Sequence, residues 1–274
     1  RIKYNLSFNA NGGSGTMSAQ TFEAGVSQAL AANTFTRSGY YFAGWNTAPD
    51  GSGTSYTDGQ EITLTEDITL YAQWDLNTSE NGYEWVDLGL PSGTKWATCN
   101  VGATTPEGYG NYFAWGETSP KDNYEWSTYI YCNGSKTSLT KYNIISSYGT
   151  VDNKTTLDLS DDAARVNWGG NWRIPTGTEQ DELRNNCTWT WTTQNGVNGY
   201  KVTSKTNGNS MFLPAAGYRY GTSVSSVGSD GSYWTSSLDE SYPNRAYSLR
   251  FSSGSVVRNY SNRYYGRTVR AVCP

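Results

Sequence analysis

The sequence predicts an α+β protein of two domains: a small strand-rich unit, then a larger one in which two short helices sit among many short strands. Short runs of alternating apolar and polar residues recur along the chain, which is the pattern of half-buried strands. Only two segments carry helix-start chemistry, at Ser160 and at Thr176. Between the two parts, Leu76 to Gly82 is polar and aperiodic, so residues 76–82 are expected to link domains at 1–75 and 83–274.

At 274 residues the chain is long enough for two separate cores. Those cores are expected to be built of rings: aliphatics are sparse, charged residues make up 16%, and there are 22 Tyr and 11 Trp. Tyr and Trp give large contact area at low entropy cost, which suits a loop-rich fold and a binding surface alike. No stretch reaches the roughly 20 apolar residues of a membrane helix, so no membrane span is expected. No apolar leader precedes Arg1, as in a mature or trimmed chain. The four cysteines, Cys99, Cys132, Cys187 and Cys273, form no CxxC pair, and the chain has no histidine. The usual zinc sites and every His-based triad are thereby excluded, and no metal or cofactor is expected.

In the first domain Tyr4, Leu6 and Phe8 alternate with polar residues up to a turn at Asn11-Gly12-Gly13. Val26 to Phe35 reads as a short helix or an irregular stretch. Gly39 to Trp45 is an aromatic strand, Pro49 to Gly53 a loop, and Ile62–Leu64 and Ile68–Trp74 two further strands. The strings Phe8-Asn-Ala-Asn-Gly-Gly, Arg37-Ser-Gly-Tyr, Phe42-Ala-Gly-Trp45 and Leu70-Tyr-Ala-Gln-Trp74 resemble the Listeria-Bacteroides repeat, the internalin B-repeat type, over nearly all of residues 2 to 75. That resemblance implies a β-grasp-like module of bacterial surface proteins, where tandem copies act as spacers; here there is one copy. Three basic against seven acidic residues argue against an anionic partner for this domain.

The second domain opens with strands at Tyr83–Leu90 and Thr94–Val101, joined at Pro91-Ser92-Gly93. From Glu117 to about Thr156 runs a long polar span with several tyrosines, expected as an ordered surface insert. Ser160 as N-cap, acids at Asp161 and Asp162, and Gly169 at the far end spell a short helix. Thr176 and Glu179 have the spacing of a capping box for a second helix ending between Leu183 and Asn186. Trp189–Trp191, Gly199–Val202 and Ser210–Pro214 are further short strands.

Six strings then show a second resemblance over essentially residues 83 to 274. They are Trp96-Ala-Thr-Cys-Asn-Val-Gly-Ala103, Tyr112-Phe-Ala-Trp-Gly-Glu117, Trp168-Gly-Gly-Asn-Trp-Arg-Ile-Pro-Thr176, Phe212-Leu-Pro-Ala-Ala-Gly217, Tyr233-Trp-Thr-Ser-Ser237 and Val269-Arg-Ala-Val272. Together they resemble the Fibrobacter-type major paralogous domain. This implies a C-type lectin-like fold related to formylglycine-generating enzymes and to retroelement-diversified variable proteins. In the diversified proteins, exposed positions of the C-terminal segment bind ligand.

Candidate sites follow from the residues. Asp158, Asp161 and Asp162 read as a helix N-terminus with solvated acids rather than a calcium cluster. Glu117, Arg173 and Arg270 lie in ring-rich motifs, where an unpaired charge is costly, and are expected to pair among themselves. With Trp168, Trp172 and Trp234 they form the expected frame. Cys187, at a helix end, and Cys273, in the final strand, are expected as neighbours, either as a disulfide or as two buried thiols, with Cys99 and Cys132 unpaired. The reactive cysteine pair, close in sequence, that the enzyme resemblance would require is missing, so no catalytic residues are expected.

The tail is the candidate ligand-binding segment. Pro243 to Pro274 holds six arginines and no acid in a chain of net charge −4. Tyr247, Leu249 and Phe251 are expected in the core, which turns Asn244, Ser248 and Arg250 outward. With Ser255, Arg258, Asn259, Tyr260, Asn262, Tyr264 and Tyr265 they make a Tyr/Asn/Ser/Arg face of the kind paratopes favour. A protein or glycan at an extracellular or cell-surface location is the expected partner. Nucleic acid is not expected, because the tail lacks Lys and the chain from Asn77 onward balances 17 basic with 17 acidic residues.

Overall fold

The computed structural model describes residues 2–274. It falls into two units, one ending at Asn77 and the other running Thr78–Pro274. Both are rich in short strands, with little helix.

The first unit contains β1 (Lys3–Asn9), β2 (Gln20–Glu23), β3 (Gln28–Ala29), β4 (Tyr40–Asn46), β5 (Ser55–Tyr56), β6 (Glu61–Ile62) and β7 (Ile68–Leu76). Five of these form a mixed sheet in the order β2-β1-β7-β4-β5, with β1 and β7 parallel, and β3 pairs with β6. Val26 to Phe35 forms no helix, since it supplies only the two-residue β3. The alternation read in β1 is real: Leu6 is buried, and Tyr4 and Phe8 pack on the same core with Trp45 and Leu70. A bulge between Phe42 and Gly44 re-aims β4, and Gly44 sits there at φ +138°, where a side chain would be strained.

The second unit begins with β8 (Ser79–Glu80), β9 (Tyr83–Val86) and β10 (Lys95–Ala97). It continues with α1 (Ala163–Trp168), α2 (Gly177–Asn186), β11 (Cys187–Gln194), β12 (Val197–Ser204), β13 (Ser210–Pro214), β14 (Tyr218–Tyr220) and β15 (Ser223–Ser225). It closes with β16 (Asp230–Leu238), β17 (Arg245–Ser252), β18 (Ser255–Asn262) and β19 (Val272–Cys273). Residues 79–82, expected in the linker, are a hairpin of this unit. Asn81 and Gly82 both adopt positive φ, as a two-residue turn between β8 and β9 requires, and Glu80 O accepts from Trp172 Nε1 at 2.6 Å.

The first predicted helix is shorter than expected and its cap is a different residue. Ser160 lies in a 3-10 turn, and Asp162 caps α1 by accepting from the backbone N of Ala164 and Arg165, while also accepting from Ile174 N at 2.7 Å. The other two acids are bonded elsewhere: Asp158 pairs with Lys141 and Lys154, and Asp161 with Lys141. For α2 the capping box forms as spelled: Thr176 Oγ1 accepts from Glu179 N at 3.2 Å and Glu179 Oε2 from Thr176 N at 2.8 Å. We expect Thr176→Ala to cost about 1 kcal/mol and Thr176→Ser to restore most of it. The urea midpoint reports both, and an unchanged midpoint in Thr176→Ala would contradict the role of the box.

The expected pairing of Glu117, Arg173 and Arg270 does not occur. Glu117 pairs with Lys121 at 2.8 Å, Arg173 with Glu179, and Arg270 bonds only neutral acceptors. Cys187 and Cys273 are buried, unbridged thiols in different cores, and burial pushes each up to about 11. The insert from Glu117 to Thr156 is tied down by rings, with Tyr124, Tyr129 and Tyr142 buried.

Candidate binding surface

The C-terminal sheet runs β16-β17-β18, antiparallel throughout. Its register fixes two faces. Tyr233, Leu249, Phe251 and Val256 point into a core shared with Leu183 of α2, Trp189, Trp191 and Tyr200. Trp234 and Ala246 point into a second core with Phe113, Trp115, Trp168 and Trp172. The central strand β17 is therefore covered on both sides, which overturns the expectation that one parity would face water.

Three of the expected ligand-binding residues are buried, Ser248 for that reason and Asn244 and Tyr264 outside β17. Ser248 is 0% exposed, directly opposite Trp234. Asn244 is buried and donates from Nδ2 to Asn262 Oδ1 at 3.0 Å. Tyr264 is 8% exposed, edge-on to Trp126 and Tyr265, and burial together with Tyr265 raises its pKa well above the usual tyrosine range. Arg250 is exposed on the Trp234 side but held by Asp230 at 2.8 Å. Ser255 and Arg258 are exposed, and Asn259, Asn262 and Tyr265 are half-buried. Tyr265 lies stacked near Tyr218.

What the structure brings together is a different constellation, centred on Arg258 and Tyr260. Tyr247 and Tyr260 are register partners, and Arg245 and Arg258 flank them on the same face. The Arg258 guanidinium lies 4.0 Å from the Tyr247 ring centroid, and Arg245 lies 4.9 Å from Tyr260 and 4.7 Å from Tyr242. Cations over ring faces at these distances attract. Arg258 is further oriented by Asp181 of α2 at 2.9 Å. Tyr260 remains 50% exposed and Tyr242 is also exposed, so the ladder presents rings and guanidinium edges to solvent.

Tyr242 and Arg245 were not singled out as binding residues from the sequence, and Tyr247, expected in the core, is instead half-buried beneath Arg258. The signal was there: Arg245-Ala-Tyr247 and Arg258-Asn-Tyr260 repeat one three-residue pattern. On two antiparallel strands that repeat sets each arginine diagonal to the other strand's tyrosine. A separate cleft of 390 Å³, lined among others by Asn111, Tyr112, Lys121, Tyr124 and Arg219, was also not anticipated. The tail's charge does not form a basic field, because Arg263, Arg267 and Arg270 are buried and Arg250 and Arg258 are ion-paired.

Comparison with known proteins agrees with part of this. Residues 4–73 match the Listeria-Bacteroides repeat domain, and residues 177–272 match a domain of unknown function, DUF8237. The chain is 45% identical over 53 residues to a protein of Evansella cellulosilytica provisionally named a Gly-rich membrane protein, covering 19% of this chain and 6% of that one. It is 45% identical over 49 residues to a second protein of the same organism, provisionally named a membrane protein, covering 18% and 7%. The chain thus spans a small fraction of the relatives it matches. No solved structure matches it significantly. No helix among the described residues is long and apolar enough to cross a membrane.

Proposed function

We propose that the chain is part of a bacterial surface-associated protein whose C-terminal domain, C-type lectin-like and of the Fibrobacter-type major paralogous kind, binds a protein or glycan through the Arg245–Tyr247–Arg258–Tyr260 ladder. The exposed cation–ring ladder, pre-set by register and by Asp181, carries this reading. Rings and guanidinium groups held in place bind with little further loss of entropy, and both residue types are enriched at binding hot spots. The strings that resemble the Fibrobacter-type domain supply core residues, including Trp96, Phe113, Trp115, Trp172 and Trp234, as a scaffold that displays a surface would. The repeat at residues 4–73 and the names of the Evansella relatives support the surface setting.

The binding role is read as non-catalytic. Burial holds the Cys187 and Cys273 thiols above their ordinary range, which disfavours the thiolate an enzyme of the formylglycine-generating type would need. A finer form of the proposal, a retroelement-diversified variable protein, is tested by sequencing the flanking DNA, where a template repeat and a reverse transcriptase gene would have to be found.

The test is a glycan and surface-protein array read with the wild-type chain and with the Arg258→Ala/Tyr260→Ala double variant. The expected result is at least one ligand whose signal falls about 100-fold or more in the variant. Equal binding by both chains, or no binding by either, would leave a purely structural module. Turnover of cysteine-containing peptides would establish the enzyme instead.

A further inference from the structure

Arg263, Arg267 and Arg270 lie close together in the chain and are all buried, but they are not bonded alike. Arg263 donates to Tyr129 Oη and to the carbonyls of Lys141, Tyr142 and Pro243. Arg270 donates to Asn100 Oδ1 and to the carbonyls of Ala97, Thr98 and Phe212. Arg267 differs. Its Nη2 reaches Ser261 Oγ, while Nε and Nη1, both shielded from solvent, have no hydrogen-bond partner among the described residues.

Two more orphans lie on the same sheet face, the hydroxyls of Ser232 and Ser248. Ser248 is the register partner of Trp234, and Ser232 precedes Trp234 by two positions on β16. Arg267 crosses Trp234, its guanidinium 5.0 Å from that ring centroid, to reach β18. The unsatisfied atoms therefore gather around one indole. No carboxylate pairs with Arg267 among the described residues. Burial, reinforced by the like charge of Arg250, pushes the guanidinium down to about 10.

We propose that Arg267, Ser232 and Ser248 form a buried site for one small anion of the halide class. A buried cation without a counter-charge is costly, and native interiors pair such groups. The N–H groups on Nε and Nη1 can only donate, and each serine hydroxyl can donate as well. A single spherical anion accepts from all of them and supplies the missing charge, whereas a water supplies no charge and accepts few bonds. The site lies on the face of the sheet opposite the arginine–tyrosine ladder, so its occupant ties β18, through Ser261 and Arg267, to the strands beneath.

Thermal unfolding of the full chain in sodium bromide, with sodium gluconate holding ionic strength constant, tests the site. An anion bound only by the folded state raises Tm with concentration, and for a chain of this size the expected rise is about 3–5 °C per tenfold bromide above half-saturation. Arg267→Met is expected to abolish the response. Ser248→Ala, which keeps the guanidinium, is expected to move half-saturation about tenfold higher, and it decides the matter if Arg267→Met does not fold. A bromide anomalous peak within hydrogen-bond distance of Arg267 is the matching crystallographic result. A wild-type response no greater than that of the variants, or water at that position in bromide-grown crystals, overturns the proposal.

Discussion

Replacing Arg270 with alanine is expected to lower the stability of the second unit by about 4 kcal/mol or more, enough in a marginally stable domain to leave much of it unfolded at 37 °C. Arg270 is 1% exposed and ties its own segment, just before β19, to two segments distant in sequence: Asn100 and the carbonyls of Ala97 and Thr98 by the first strands, and the carbonyl of Phe212 in β13. Alanine removes the donor from three buried acceptors and one part-buried carbonyl, that of Thr98, and opens a cavity among rings. Lysine is no repair, since an ammonium cannot span acceptors that a planar guanidinium bridges. Arg270→Lys is therefore expected to recover less than half of the loss in guanidinium chloride unfolding. A cost under about 1 kcal/mol for Arg270→Ala would show that the bonds around this side chain do not hold the fold together.

Arg263→Ala is expected to act nearly as strongly, at about 3–4 kcal/mol, but with a local signature. Its partners Tyr129, Lys141 and Tyr142 belong to the insert between Glu117 and Thr156, and Pro243 precedes β17. The guanidinium also lies 5.1 Å from the Trp115 ring centroid. This one residue thus docks an insert that has almost no strand or helix of its own. Hydrogen exchange should show amides of residues 129–142 losing protection in Arg263→Ala while the β11–β13 sheet keeps its own. Equal loss in both regions would mean that the insert is not a separately held layer.

Arg263 marks where sequence reading stops: it stands among Ser, Asn and Tyr, a composition that reads as solvated surface. Arg270, in Val269-Arg-Ala-Val272, was read as part of the frame, but nothing local reveals that its partners are carbonyls from distant segments rather than Glu117. Asn244 and Tyr264, outside any strand, were placed at the surface for the same lack of local signal, and Ser248 for a different reason. Period-two alternation identifies one buried face of a strand, but β17 lies between two cores and buries much of both. Local chemistry was legible. The Thr176–Glu179 box is complete within four residues and forms as spelled. Asn81-Gly82 carried an equally local hairpin signal that the polar composition around it hid, so the boundary fell a few residues late. Composition correctly placed Trp and Tyr in both cores, but the expectation that rings rather than aliphatics build them fails: in the three larger clusters Leu, Ile, Val and Ala with the other non-aromatic residues outnumber the rings. The ladder itself was written in the repeated Arg-x-Tyr pattern, yet only the pairing of Tyr247 with Tyr260 gives that pattern a shape.

The central claim is that recognition uses the face of the C-terminal sheet bearing Arg258 and Tyr260. The most direct measurement is the affinity of a ligand found on the arrays for three single-site chains: Tyr260→Ala on the ladder, Arg250→Ala on the opposite face, and Arg219→Ala in the separate cleft. The ladder account predicts that Tyr260→Ala weakens binding by about 30-fold or more, while Arg250→Ala and Arg219→Ala change it less than about threefold. Loss of binding in Arg219→Ala or Arg250→Ala with Tyr260→Ala unaffected would contradict it.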